Sequence, residues 1–87
     1  MRIELTEEFK KINLTKYPYS VSAIIVYILT LEHNQGRIKI KICEAFPKMG
    51  MSEATLVSGL KTLRKLGILE RDGQSHYIIN KTYINYE

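Results

Sequence analysis

Cysteine is nearly absent from this chain, and its scarcity limits the class of protein. One cysteine, Cys43, among 87 residues excludes an intramolecular disulfide framework, and we expect it to be a small packing residue. Neither His33 nor His76 has a cysteine or acidic partner at ligand spacing, so no metal-site motif is present. We therefore expect no metal, no other cofactor, and a cytoplasmic location as the default for a chain without disulfides.

Long apolar runs and enzyme motifs are also missing. The most apolar segment, Ser22 to Leu31, is too short to span a bilayer, and Met1 to Glu4 lacks the basic-then-apolar pattern of a signal peptide. The sequence contains no P-loop, dinucleotide glycine pattern, paired catalytic carboxylates or Ser/His/Asp set. We expect neither a membrane protein nor an enzyme.

The chain does contain enough apolar residues for one modest core, and an excess of positive charge. It is 45% hydrophobic and 25% charged, which suits a single domain of this length. Thirteen Lys and Arg against nine Asp and Glu give a formal net charge of +4. This excess favours a polyanionic partner.

Capping signals predict two helices in the first third of the chain. Thr6, followed by acids and then lysines, predicts a short capped helix through Ile12. Tyr17-Pro18 breaks the chain, and Ser20 is predicted to cap a second helix that ends near Glu32. The apolar residues of this second helix exceed what one small core needs: Ile24, Tyr27, Ile28 and Leu31 on one face, widened by Ile25, Val26 and Leu29. That excess predicts a homodimer.

The segment from Arg37 to Gly50 predicts a small strand followed by a helix. Basic and apolar residues alternate from Arg37 to Ile42, which is the period of a strand. The helix has Ile42, Ala45 and Phe46 as inward residues, and Pro47 and Gly50 are predicted to end it.

The segment from Met49 to Gly73 carries the strongest pattern in the chain. Ser52 is placed to cap a helix, and Glu53 puts negative charge at the positive end of the helix dipole. Gly59 allows another helix to approach closely. The buried positions are predicted to be Leu56, Leu60, Leu63 and Leu66, with Ala54, Ser58, Lys61 and Lys65 pointing away.

A hairpin is predicted after this helix. Gly67 can take the left-handed conformation that ends a helix, and Ile68–Arg71 is predicted to be a strand. Asp72-Gly73 predicts the turn, and His76–Ile79 the returning strand. Residues 81–86 could extend this strand, form an arm, or lead into a further domain.

These residues resemble the DNA-binding half of bacterial winged-helix regulators of the gluconate-operon repressor type. The matching residues are Ser52, Thr55, Leu56, Leu60, Leu63, Leu66, Gly67, Ile68, Leu69, Glu70 and Arg71. The resemblance implies an α+β fold, mostly α, in which three helices and a small antiparallel sheet form a winged helix-turn-helix, preceded here by a short helix. We expect one domain over 1–87, with an N-terminal arm and short helix in 1–18, a winged-helix core in 19–80 and an extension in 81–87.

The resemblance also implies double-stranded DNA as the partner, with helix Ser52–Leu66 in the major groove. The residues expected at base edges are Ser52, Glu53, Ala54, Val57, Ser58 and Lys61. Those expected at phosphates are Lys39, Lys41, Lys48, Lys65 and Arg71, with Gln74, Ser75 and His76 at the tip of the wing Arg71–His76. The lysines could equally be the solvated faces of a strand and a helix.

Three functions remain open at this point. A small transcriptional regulator is the first, and a DNA-binding module of a plasmid or phage replication, partition or packaging protein is the second. The third is a protein-binding adaptor, because Glu53 and Val57 stand where such regulators often carry basic residues. The light charge of the groove-facing surface would require two copies for tight DNA binding, which again favours a homodimer.

Overall fold

Four α-helices and two small antiparallel sheets make up residues 3–86, which are the residues that this computed structural model describes, with side chains described from residue 5 onward. The strands are β1 (Ile3–Leu5), β2 (Arg37–Lys39), β3 (Leu69–Arg71), β4 (His76–Ile79) and β5 (Ile84–Tyr86). The helices are α1 (Glu7–Lys10), α2 (Tyr19–Thr30), α3 (Ile42–Met49) and α4 (Glu53–Lys65), with a short 3-10 helix at Leu14–Lys16. The prediction of an α+β fold is confirmed.

The core lies where α2 packs against α4. Ile24 and Ile28 of α2 are fully buried with Leu56 and Leu63 of α4. A Cβ atom added at Gly59 would overlap the Cδ1 atom of Ile24, so the two helices approach through the space that a side chain would fill. The predicted role of Gly59 is therefore confirmed.

The larger sheet has the strand order β2-β4-β3, with both pairs antiparallel. Strands β3 and β4 form the predicted hairpin, and Gly73 in its loop has a positive φ of 91°. The returning strand has the predicted bounds, whereas β3 begins at Leu69, one residue later than expected. Ile38, Tyr77 and Ile79 turn one face of this sheet towards the core.

A second sheet joins the two ends of the described chain, and nothing in the sequence pattern predicted it. Strand β1 pairs antiparallel with β5, and the backbone N–H of Thr6 donates to the carbonyl oxygen of Tyr83 at 3.0 Å. Ile84 on β5 is fully buried, and Phe9 of α1 also belongs to the core. Residues 84–86 thus pair with β1 and not with the hairpin. Met1 and Arg2 of the predicted arm, and Glu87 of the predicted extension, lie outside the described residues.

The structure corrects three predicted helix boundaries. Helix α1 ends at Lys10, two residues before the predicted end at Ile12, while Thr6 caps its start as predicted. Ser20 does not cap α2: the helix begins at Tyr19, Pro18 occupies the cap position, and its carbonyl oxygen accepts from the N–H of Val21 at 3.0 Å. The fixed φ of proline suits the residue that directly precedes a helix, so Pro18 both breaks the chain, as predicted, and leads directly into α2. Pro47 does not end α3 but lies inside it, and Gly50 ends the helix with a left-handed φ of 68°.

Two expectations about packing also change. Cys43 is exposed, so its prediction as a packing residue is wrong; it lies in the first turn of α3 on the side away from Ala45, which is the buried residue of that helix. Ile25 of α2 is buried in the core, and Leu29 packs partly against it. The apolar excess of α2 is therefore smaller than the sequence suggested, although Val26 is 62% exposed.

The burial of Ile84 predicts that β5 contributes to stability. Ile84→Ala should lower the free energy of unfolding by about 2 to 5 kcal/mol, because it leaves a cavity in the core. Asn85→Ala, one residue along at an exposed position, is the matched control and should change it by less than about 0.5 kcal/mol. Urea unfolding followed by circular dichroism measures both, and equal stability of the two variants would contradict the packing of β5.

Candidate nucleic-acid interface

The face of α4 opposite the core is exposed and collects five of the predicted base-contacting residues. Because Leu56, Gly59, Leu60 and Leu63 are buried, the helix period turns the remaining positions outward. A shallow surface on this side is lined by Glu53, Ala54, Val57, Ser58 and Lys61. Lys65 is exposed one turn beyond Lys61, so the side chains run from an acid at the start of α4 to cations at its end.

Ser52, the sixth predicted base-contacting residue, has a structural role as well. Its Oγ atom accepts from the backbone N–H of Thr55 at 3.1 Å and lies 2.8 Å from the Thr55 hydroxyl. It therefore caps α4 as predicted, with extended backbone angles. A hydrogen bond between Ser52 and a base would have to use the same Oγ atom that already accepts from the N–H of Thr55.

Three of the predicted phosphate-binding lysines surround one hollow. This hollow of about 180 Å³ is lined by Tyr27, Lys39, Lys41, Glu44 and Lys48, and lies where α2, β2 and α3 meet. Lys41 precedes α3, and its Nζ atom lies 3.9 Å from a carboxylate oxygen of Glu44. Glu44 offsets part of the charge, and the lysines leave a positive excess suited to an anion.

The predicted wing is the hairpin β3-β4, with Gln74 exposed and Ser75 and His76 half-buried at its end. Arg71 does not extend freely, because its Nε atom donates to the carbonyl oxygen of Gly73 at 2.9 Å. The guanidinium of Arg71 therefore holds the loop of its own hairpin, although the side chain is exposed.

Lys39 connects the hairpin with the lysine hollow. It lies opposite His76 in the β2-β4 pair and also lines a second depression, with His76, Arg37 and His33. Lys39 is exposed and lines both depressions, so it is a candidate phosphate contact for either of them.

Two residues at these surfaces were missed by the sequence analysis. Arg37 donates from Nε to a carboxylate oxygen of Asp72 at 2.7 Å, which ties β2 to the hairpin loop; both side chains are about half exposed, so this pair contributes little to stability. The alternation of Arg37 with Lys39 and Lys41 was a usable signal. The sequence analysis counted Tyr27 only among the apolar residues of the second helix; in the structure it packs partly on the core and also lines the lysine hollow.

Comparison with models of known protein families, with curated proteins and with solved structures found no match. Over residues 3–86, none of the helices is long and apolar enough to cross a membrane. In the same part of the chain, His, Cys, Asp and Glu side chains do not gather in groups of three that could hold a metal ion. What the candidate site binds is therefore inferred from its geometry and its charge.

The two serines of α4 should differ in their effect on folding. Ser52→Ala removes the helix cap and should lower the free energy of unfolding by about 1 kcal/mol. Ser58→Ala, at an exposed position inside the same helix, is the matched control and should leave stability equal or slightly higher. Thermal and urea unfolding measure both; an unchanged Ser52→Ala variant would show that the cap does not stabilise α4.

Proposed function

We propose that this chain is a double-stranded DNA-binding protein of the winged-helix type, acting as a small transcriptional regulator. The exposed face of α4 carries the proposal, since it brings Glu53, Ala54, Val57, Ser58 and Lys61 together on a helix whose other side is fixed in the core. One α-helix fits the major groove of B-DNA, and side chains on its outer face can reach base edges there.

The order of elements supports the proposal. From α2 onward the chain runs helix, strand, helix, helix and hairpin, and the first strand pairs with the second strand of the hairpin. In a winged helix-turn-helix this order puts α3 and α4 in the helix-turn-helix and makes the hairpin the wing. Gly50, with its left-handed φ, makes the turn between the two helices.

Each group of residues has a role under this proposal. Ser58 can donate or accept a hydrogen bond, Ala54 and Val57 can contact a thymine methyl group, and Lys61 can reach a guanine or a phosphate. The three lysines of the hollow would neutralise backbone phosphates, which positions the protein without reading sequence. Gln74, Ser75 and His76 would contact the backbone or the minor groove from the hairpin.

The charge of the site sets the expected strength of binding. Lys61 and Lys65 on α4 and three lysines at the hollow are opposed by Glu53 and Glu44. Neutralisation of about four or five phosphates would give one copy a modest affinity that depends strongly on salt. The first experiment is therefore fluorescence anisotropy with a labelled duplex of mixed sequence, titrated at several salt concentrations. Binding that weakens steeply with salt is the expected result, and absence of binding at low salt would refute the proposal.

The lysine hollow predicts a loss of affinity that is the same for all sequences. Lys48→Ala should weaken binding to every duplex alike and reduce the slope of log K against log salt by about 1, because one phosphate contact is lost. Lys10→Ala is the control, since Lys10 is an exposed lysine on α1 that already pairs with Glu7 at 3.3 Å. If both variants lose affinity equally, general charge and not the hollow determines binding.

The outer face of α4 predicts a change of sequence preference. Once a preferred site has been selected, Lys61→Ala should reduce discrimination at one base position by about 1 to 3 kcal/mol. Affinities for the selected site and its single-base variants measure this effect, with Lys48→Ala as the variant that should keep the preference. An unchanged profile for Lys61→Ala would contradict insertion of α4 into the major groove.

Protein binding is the second candidate function, and one observation favours it. Val57 is 43% exposed in the middle of the α4 face, beside the acidic Glu53, which suits an apolar protein contact better than a phosphate backbone. A lack of DNA binding at low salt would favour this adaptor function. A DNA-binding module of a replication, partition or packaging protein would make the same contact with DNA through α4.

A further inference from the structure

The outward face of α2 is uncharged and apolar, although the chain as a whole is 25% charged. The helix contains no acidic or basic residue from Tyr19 to Thr30. Tyr19 is 88% exposed and Val26 is 62% exposed, which are the largest values for big hydrophobic side chains among the residues whose side chains are described. Neither residue contributes to the core, so their exposure calls for a separate explanation.

The spacing of these residues makes the face complementary to itself. Tyr19 and Val26 are seven residues apart, which places them on one side of the helix about 10.5 Å apart along its axis. Ser22 and Ala23 lie between them, are half-buried, and are small enough to let another helix approach closely. The face has a large residue at each end and small residues in the middle. A second copy of α2 that runs in the opposite direction presents the same arrangement, so large residues would meet large ones and small residues would meet small ones.

We propose that the outward face of α2 binds the same face of a second copy of this chain, with the two helices antiparallel, so that Tyr19 of each copy contacts the partner's Val26. The two-fold axis would pass between Ser22 and Ala23. This arrangement is isologous, because each copy offers the same residues and receives the same residues in return. It would cover both of the exposed apolar side chains at once.

Charge at the two ends of α2 supports the antiparallel direction. Exposed Lys16 precedes the helix and exposed Glu32 follows it. Antiparallel pairing sets the end of α2 that Lys16 precedes beside the end of the partner's α2 that Glu32 follows, and it also sets opposite ends of the two helix dipoles side by side. A parallel pairing would place like charges together. The face itself has no charge to match a charged protein of another kind, which favours a second copy.

The proposal predicts a weak dimer whose affinity depends strongly on the exposed Val26. The wild-type chain should show a concentration-dependent monomer–dimer equilibrium in sedimentation experiments from the micromolar to the millimolar range. Val26→Asp should weaken association at least about tenfold, since it buries a charge at both contacts. Val57→Asp is the matched control, the same change at another exposed valine, and should leave the dimer intact. Circular dichroism verifies that both variants remain folded.

Pairing of the two variants tests the register. Tyr19→Lys should also weaken the dimer, and a mixture of Tyr19→Lys with Val26→Asp should associate again, because one contact becomes Lys against Asp and the other stays Tyr against Val. In a Cys43→Ser background, Ser22→Cys should form a disulfide-linked dimer near the axis, whereas Val26→Cys should not, its two copies being about 10.5 Å apart along the helices.

Two results would overturn the proposal. One is a wild-type chain that stays monomeric up to millimolar concentration. The other is a dimer that Val26→Asp leaves unchanged, which would place the interface elsewhere. The assay contains no DNA, so its failure is separate from a failure of the proposed function.

Discussion

The contact between α2 and α4 is the constraint on which the rest of the structure depends. Gly59 lets Ile24 enter the space beside α4, and Leu56, Leu60 and Leu63 complete the buried side of the helix. Once this side is buried, the helix period determines which residues lie on the opposite, exposed side. Ala54, Ser58 and Lys61 therefore face solvent for the same reason that the leucines do not. A single packing contact both builds the core and presents the candidate site.

The two sheets keep the surrounding elements in place around that contact. Ile38, Tyr77 and Ile79 anchor the larger sheet in the core, which positions the hairpin beside the C-terminal end of α4. The smaller sheet joins the two ends of the described chain, and Tyr86 extends from it to the turn before β2, where its hydroxyl donates to the carbonyl oxygen of Gln35 at 3.2 Å. A side chain at Gly36 would overlap Tyr86. Strand β5 thus supports the turn before β2, the strand on which Lys39 lies.

Local signals in the sequence were sufficient for α4 and its hairpin, because cap, leucine spacing, glycine and turn all lie within 25 neighbouring residues. The bounds of β4, the exposure of Lys61 and the bounds of α4 to within one residue at each end follow from them. The β1-β5 pair could not be found in this way, since its strands have three residues each and lie about 80 positions apart. Ile25 and Cys43 show a related limit: a helix pattern tells which residues share a face, whereas the elements that cover that face come from distant parts of the chain.

DNA binding by one copy and dimer formation through α2 are both proposed to be weak, and each would strengthen the other. A duplex with two half-sites would hold two copies close to one another, so that the α2 contact forms at a high effective concentration. A dimer that is largely dissociated at low micromolar concentration in solution would then form on DNA, and the second copy would bind more tightly than the first. The lightly charged face of α4 would give weak binding to DNA, and the small uncharged face of α2 would give a weak dimer. Because tight binding would need both contacts, the occupancy of a paired DNA site would rise steeply with protein concentration. A more basic α4 would bind single sites and non-specific DNA tightly, and the steepness would be lost.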